Sequence, residues 1–222
     1  MRYSRWALKP TVPKSILEQI NLPVIESTIL FNRGIVSQND SDNFITPLED
    51  NLHDPYLLPD MEKVTNRISV ALKTNETIGV FGDFDTDGLS GTALLTKSLQ
   101  TLGGNVIPYV PHRTEEGHGV SLKAIDYFIA KNVTLMITVD CGVTSIQEIE
   151  LANKSGIDTI VTDHHIPLDE FPDAIGIVNA HLGNSKYPFK HLTGVGIAFK
   201  VIEALYDSHK KELPEDIYAP VR

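Results

Sequence analysis

Three aspartates stand at every second position in Asp83-Phe84-Asp85-Thr86-Asp87, directly after a short apolar run that ends at Phe81. Carboxylates this close repel one another, so a fold that keeps them together needs positive charge beside them. Two further acid-bearing sites follow apolar runs downstream: Asp140, and Asp163-His164-His165. Carboxylates and imidazoles without a thiolate cluster suit Mn2+ or Mg2+, and the histidines tilt the choice toward Mn2+. Two such ions, roughly 3.5–4 Å apart, lower the pKa of a bridging water and steady the leaving oxygen of a phosphate ester. The chemistry expected is two-metal phosphoester hydrolysis.

Other uses of the triple-acid stretch fail on detail. An EF-hand loop beginning at Asp83 would need a bidentate glutamate at its twelfth position, where Leu94 stands, and a helix rather than an apolar strand before it. A phosphate cradle built on Gly82, Gly88 and Gly91 lacks a following Gly-Lys-Ser/Thr, and three aspartates would repel a phosphate unless metals intervened. A dehalogenase-type phosphatase would carry threonine where Asp87 stands, and leaves the Asp-His-His unexplained. A merely solvated acidic turn does not account for the two further clusters. Asp140 taken alone reads equally well as the N-cap of a following helix. Cys141 reads as a small packed side chain, because no base surrounds it. His53, His181, His191 and His209 carry no assignment.

These residues must be positioned by regular elements. Short runs rich in isoleucine and valine at 78–81, 106–110, 134–139, 157–161 and 175–178 read as strands. Helical spacing falls between them, at 89–102 ending at Gly103, at 121–130, and at 144–153 with a Ser145-x-x-Glu148 capping pattern and a stop at Gly156. A last helix over 195–206 is opened by Gly194 and Gly196, whose N–H groups either meet a phosphate or permit tight helix–sheet packing. The rhythm predicts α/β architecture, a parallel five-stranded sheet flanked by helices. Ligands bind such sheets at the carboxyl ends of the strands. The runs are followed in turn by the three aspartates; by His112, Arg113, Glu115, Glu116 and His118; by Asp140-Cys141-Gly142; by Asp163-His164-His165; and by Asn179 and His181. Residues 1–72 read as an N-terminal helical extension packing on a core of 73–222. In it 24–33 is helix-like and stops at Gly34, Ser37 with Asp40 opens a short helix, Leu52-His53-Asp54-Pro55 is a turn, and Met61, Val64, Ile68 and Leu72 lead into the first strand.

Totals limit the function classes. A net charge of −10 argues against a stand-alone duplex-DNA-binding module, though not against an enzyme acting on phosphates. The single cysteine excludes an internal disulfide, no apolar run reaches the roughly 20 residues of a membrane span, and Met1-Arg2-Tyr3-Ser4-Arg5-Trp6 lacks a secretory apolar stretch. A cytoplasmic setting without membrane contact is expected.

Gly82-Asp83-Phe84-Asp85-Thr86-Asp87-Gly88, Val139-Asp140-Cys141-Gly142 and Thr162-Asp163-His164-His165 resemble, in order, the first three motifs of the DHH phosphoesterase superfamily, and within it the RecJ-type branch of bacterial single-strand exonucleases. Asn32-Arg33-Gly34-Ile35, Glu116-Gly117-His118-Gly119 and Leu192-Thr193-Gly194-Val195-Gly196 support the resemblance, which runs from about Trp6 to the end. It implies that Asp85 and Asp87 each ligate one ion and that Asp140 bridges both. His164 would be a further ligand, His165 would touch the scissile phosphate or a metal, and Asp83 and Asp163 would complete the acid set. Arg113 and His118, with Gly194 and Gly196, are the substrate-binding candidates. The implied activity is 5′-to-3′ hydrolysis of single-stranded DNA with Mn2+ or Mg2+ in repair and recombination, alongside a single-strand-binding protein and a helicase. The alternatives are a family relative acting on short oligonucleotides, cyclic dinucleotides or pyrophosphate, and a catalytically silent scaffold. The family's fourth motif, a further aspartate ligand, has no match at Asp207 or Asp216, and the second catalytic-core domain and the OB-fold domain do not follow, so the chain is expected to be the N-terminal part of a longer protein.

Overall fold

Five short strands pair in parallel in the order β2-β1-β3-β4-β5: β1 (Thr77–Gly82), β2 (Asn105–Tyr109), β3 (Val133–Val139), β4 (Asp158–Thr162) and β5 (Gly176–Val178). The computed structural model describes residues 7–46 and 52–209. The stretch through Trp6, and the polar tail from residue 210 with Asp216, lie outside the described residues. The five expected strands are all present, displaced at their ends by no more than one residue.

Parallel strands need crossover helices, and those helices bury both faces of the sheet. On one face, Ile78 and Val80 of β1 and Leu135, Ile137 and Val139 of β3 pack with α4 (Met61–Lys73), α5 (Thr86–Thr101) and α8 (Gly194–His209). On the other, Phe81 and Met136 pack with Ala124, Ile125 and Phe128 of α6 (Leu122–Ala130) and with Ala152 of α7 (Ile146–Lys154). Gly79 makes this second layer possible, because a Cβ there would come within 2.9 Å of the Phe128 ring.

The remaining helices, α1 (Lys14–Leu17), α2 (Val24–Phe31) and α3 (Gln38–Ile45), belong to a separate unit. As expected, Gly34 (φ +81°) ends α2, with Ile35 N–H reaching back to Leu30 O at 3.1 Å, and Ser37 caps α3 by accepting from Asp40 N–H. The boundary differs from the one read in the sequence. The chain divides into Met1–Leu52 and His53–Arg222, not at residue 72. The reason is α4, whose Met61, Val64, Ile68 and Ala71 are buried in the sheet's own core.

Two helix starts also differ from expectation. Helix α5 begins at Thr86 rather than at 89, because the Asp85 carboxylate caps it, accepting from Asp87 and Gly88 N–H at 2.9 and 3.0 Å. Helix α7 begins at Ile146 without a side-chain cap, since Ser145 Oγ accepts instead from Val120 N–H at 3.2 Å. Gly103 and Gly156, both at positive φ, end α5 and α7 as anticipated.

Candidate metal centre

The sheet order places β2 on one side of β1 and β3 on the other, so the crossover direction reverses between β1 and β3. A crevice opens at such a switch point, outside the carboxyl ends of the two strands. Asp83 follows β1 directly and Asp140 follows β3. Their backbones continue the sheet: Asp83 N–H donates to Val139 O at 3.2 Å, Asp140 N–H to Thr162 O at 3.0 Å, and Asp163 N–H to Val178 O at 3.1 Å. Each acid is thus the first residue past its strand and is still tied to the neighbouring one.

Asp140 takes a left-handed backbone (φ 62°), and Gly142 follows at φ 107°. A Cβ on Gly142 would lie 2.7 Å from Thr138 Oγ1, the hydroxyl that donates to Cys141 O at 2.8 Å and pins this tight exit from β3. The turn leaves the Asp140 side chain buried in the crevice. There, carboxylate oxygens of Asp83, Asp85 and Asp140 all lie within 4.8 Å of one another, as do donor atoms of Asp140, His164 and His165. His164 Nε2 stands 3.0 Å from Asp140 Oδ1 and 3.8 Å from Asp87 Oδ2.

Electrostatics follow from this crowding. Burial first, and then the negative charges of Asp87 and Asp85, push Asp140 up to about 7. Asp85 moves the other way, held below the usual carboxylate range by the Gly88 and Asp87 N–H groups. Two buried oxygens, Asp83 Oδ1 and Asp140 Oδ1, accept no hydrogen bond; the His164 ring beside Asp140 Oδ1 is close but not aligned for one. An acceptor buried without a partner is costly, and one facing two other carboxylates is more so. A divalent cation removes both penalties at once, and the oxygen-rich, imidazole-bearing, thiolate-free donor set matches Mn2+ or Mg2+.

Asp163 lies beneath this cluster. Its Oδ1 accepts from His164 N–H, His165 N–H and His165 Nδ1, at 2.7, 3.1 and 2.7 Å, and its Oδ2 accepts from Val143 N–H at 3.0 Å. Burial alone would raise its pKa, but these bonds hold it below the ordinary value. In turn Asp163 pushes His165 up to about 9, and it fixes the ring by Nδ1 so that Nε2 is the nitrogen left for other partners. Both oxygens of Asp87 are engaged across the fold, accepting from Gly194 and Val195 N–H at 2.7 Å each. The first N–H groups of α8, which lack helical acceptors, therefore end on a carboxylate of the triple-acid stretch. Gly196 N–H goes to Thr193 Oγ1.

The structure brings Asp83, Asp85, Asp140, His164 and His165 together, with Asp87 at their edge and Asp163 as the support below. Asp83 stands inside the cluster, although the sequence ranked it after Asp85 and Asp87. Gly194 is in close packing: a Cβ on it would fall 2.5 Å from Asp140 Oδ1. Asp140 caps no helix. Cys141 is buried, its thiol raised well above the ordinary range by burial and by the nearby aspartates. His112, His53, His181, His191 and His209 form other local contacts.

Sequence reasoning overlooked Phe84, and it named Glu116 without a role. Phe84 is half-buried, with its ring centroid 4.4 Å from that of His118 and 5.2 Å from Arg113 Cζ, and His118 Nδ1 lies 3.1 Å from Asp83 Oδ2. Glu116, whose side chain is 6% exposed, accepts from His112 N–H, Tyr109 Oη and Ser121 Oγ at 2.8, 2.9 and 2.5 Å. A large aromatic between two acids was the available signal for Phe84.

Residues 77–221 match the DHH family, N-terminal domain. The single-stranded-DNA-specific exonuclease RecJ of Bacillus subtilis (strain 168) is 34% identical over 204 residues, covering 92% of this chain and 25% of that protein. A crystal structure of exonuclease RecJ bound to manganese superposes with a TM-score of 0.63 at 36% identity, covering 71% of this chain and 39% of the other. RecJ from Thermus thermophilus in complex with Mn2+ superposes with a TM-score of 0.68 at 26% identity, covering 92% of this chain and 29% of the other. The chain thus spans about a quarter to two fifths of the lengths of these proteins.

Proposed function

The chain belongs to the DHH family, and from that premise we propose that it carries the metal centre of a single-stranded-DNA-specific exonuclease acting from the 5′ end. One observation carries the reading: Asp83, Asp85, Asp140, His164 and His165 converge at the β1–β3 crevice, with two buried carboxylate oxygens that accept no hydrogen bond. Similarity to RecJ proteins, two of them crystallised with Mn2+, supports both the substrate class and the metal.

Asp83, Asp85 and Asp140 would hold the cations, with His164 adding a nitrogen and Asp87 an oxygen at the edge. When bound, a pair of divalent ions activates water for attack on phosphorus and neutralises charge on the phosphate. The chain's own residues set the stage for that step. Asp163 locks His165 by Nδ1, so that Nε2 is free to donate to a phosphate oxygen. Arg113 adds a cationic contact to the strand, and His118 a hydrogen-bonding one. A separate basic surface is not required for the chemistry, because the cations compensate the acids locally. A cytoplasmic setting, and work beside a single-strand-binding protein and a helicase, belong to the same reading; the buried free thiol of Cys141 agrees with reducing surroundings.

The test is incubation with 5′-labelled and 3′-labelled single-stranded DNA in Mn2+. Mononucleotide release from the 5′ end alone is expected. Release from the 3′ end, or cleavage only of a dinucleotide or of pyrophosphate, contradicts the assignment.

A further inference from the structure

The loop between β2 and α6 has no regular structure, yet it carries Arg113 and His118 beside the most acidic part of the molecule. An arginine there would be expected to fold onto a carboxylate. Among the described residues, Arg113 has no acid within ion-pair distance, and its recorded contact is the Phe84 ring. The same ring holds the imidazole of His118 at a centroid distance of 4.4 Å. Phe84 lies between Asp83 and Asp85 in the chain, so the element that gathers the acids also carries the platform for the Arg113 guanidinium and the His118 ring.

The loop's course is set by Glu116. Its nearly buried carboxylate takes hydrogen bonds from the Tyr109 hydroxyl at the end of β2, from His112 N–H within the loop, and from the Ser121 hydroxyl that caps α6. Its own N–H donates to His112 O at 2.9 Å. These bonds hold Glu116 below the ordinary glutamate range despite burial, and burial together with Glu116 pushes Tyr109 up to about 12. Neither Phe84 nor Glu116 belongs to the metal clusters.

We propose that Phe84 and Glu116 are positioning residues: Glu116 fixes the path of the 110–121 loop, and Phe84 holds the Arg113 guanidinium off the carboxylates, beside a His118 ring that already touches Asp83, as a ready clamp for a phosphate of a nucleic-acid strand. The clamp rests on the phosphodiesterase reading for its substrate class. Its physical advantage is that the long Arg113 side chain is ordered before the strand arrives, so binding does not bear that entropy loss. The aromatic face supplies the attraction that competes with the neighbouring acids.

Two readouts on the whole chain separate positioning from a general structural role. Fluorescence anisotropy in Mn2+, with a 5′-phosphorylated oligonucleotide joined by hydrolysis-resistant phosphorothioates, reads the clamp. Electron paramagnetic resonance of added Mn2+ reads the metal centre. Phe84→Leu is expected to weaken oligonucleotide binding about tenfold, the scale of ordering one long side chain, with Mn2+ binding unchanged. Phe84→Tyr should restore binding, and Glu116→Gln should weaken it as Phe84→Leu does. Unchanged oligonucleotide binding in Phe84→Leu overturns the proposal, as does parallel loss of Mn2+, or a wild-type chain that binds no oligonucleotide. Wild-type binding of this probe, with no release of 5′ nucleotides from an unmodified strand, would instead overturn the exonuclease reading and leave the clamp standing.

Discussion

Gly194 at the start of α8 approaches Asp140 so closely that a Cβ built on it would lie 2.5 Å from both Asp140 Cβ and Oδ1. The approach is enforced from the opposite side, where Asp87 accepts from Gly194 and Val195 N–H. Gly194→Ala must therefore displace either the helix start or the central carboxylate. Mn2+ affinity measured by calorimetry is expected to fall by about tenfold or more, since carboxylate orientation sets metal affinity. Circular dichroism should show the helices retained.

Asp163 touches no cluster partner except through His164 and His165, yet its replacement should be severe. Asp163→Asn keeps one oxygen for the His164 and His165 donors on Oδ1, but it turns an amide NH2 toward Val143 N–H and strands that group in a buried place, while removing the charge that the His165 ring meets. A loss of about 2–3 kcal/mol in stability is expected from denaturant unfolding, together with a fall in turnover. Unchanged stability would show that the Asp-His-His turn is held by something else.

The pH dependence of the metal-free protein has a definite sign. Asp140 is raised from 3.8 to about 7, so its contribution to stability is complete below pH 3.8 and lost as pH rises through 7. His165 is raised from 6.5 to about 9 by Asp163, so its contribution is complete below 6.5 and lost as pH rises through 9. Both run in the same direction. Melting temperature without metal should fall between pH 6 and pH 9. Metal binding needs the ionised carboxylate, so the apparent Mn2+ affinity should drop by up to about tenfold per unit as pH falls below 7, with proton release visible in calorimetry.

At the far edge of the sheet, Arg67 of α4 ties together Asp158 and Glu76, with Nε to Asp158 at 2.8 Å and both terminal nitrogens on Glu76 at 3.1 and 2.8 Å. Thr134 adds a hydroxyl to Glu76, and Arg67 holds Glu76 below the usual glutamate range. This stability contribution is present above pH 4.5 and lost as pH falls through the depressed value. Arg67→Met should cost about 2 kcal/mol in stability while leaving Mn2+ binding intact. A matching loss of metal would show that the two ends of the sheet are coupled.

Much of the architecture was legible because local rules and global fold agree. The β-branched runs became buried parallel strands, the glycines at 34, 103 and 156 stopped their helices, and the acids fell at strand ends where the topology gathers them. Less legible were features that depend on long-range donors. Nothing local to Asp87 shows that α8, more than a hundred residues later in the chain, supplies its N–H partners. Ser145 matched a capping pattern but serves Val120, because a tertiary donor displaced the local one. The boundary misplaced at residue 72 has the same origin, since the amphipathic face of α4 reveals that it packs but not on which unit.

The central claim is that the β1–β3 crevice is a divalent-metal centre organised on Asp140. Titration of Mn2+ into the wild-type chain and into Asp140→Asn, followed by electron paramagnetic resonance at pH 8, tests it most directly. The account predicts two bound ions in the wild type and at least about a hundredfold weaker binding in the variant. Equal binding by the two proteins would contradict it.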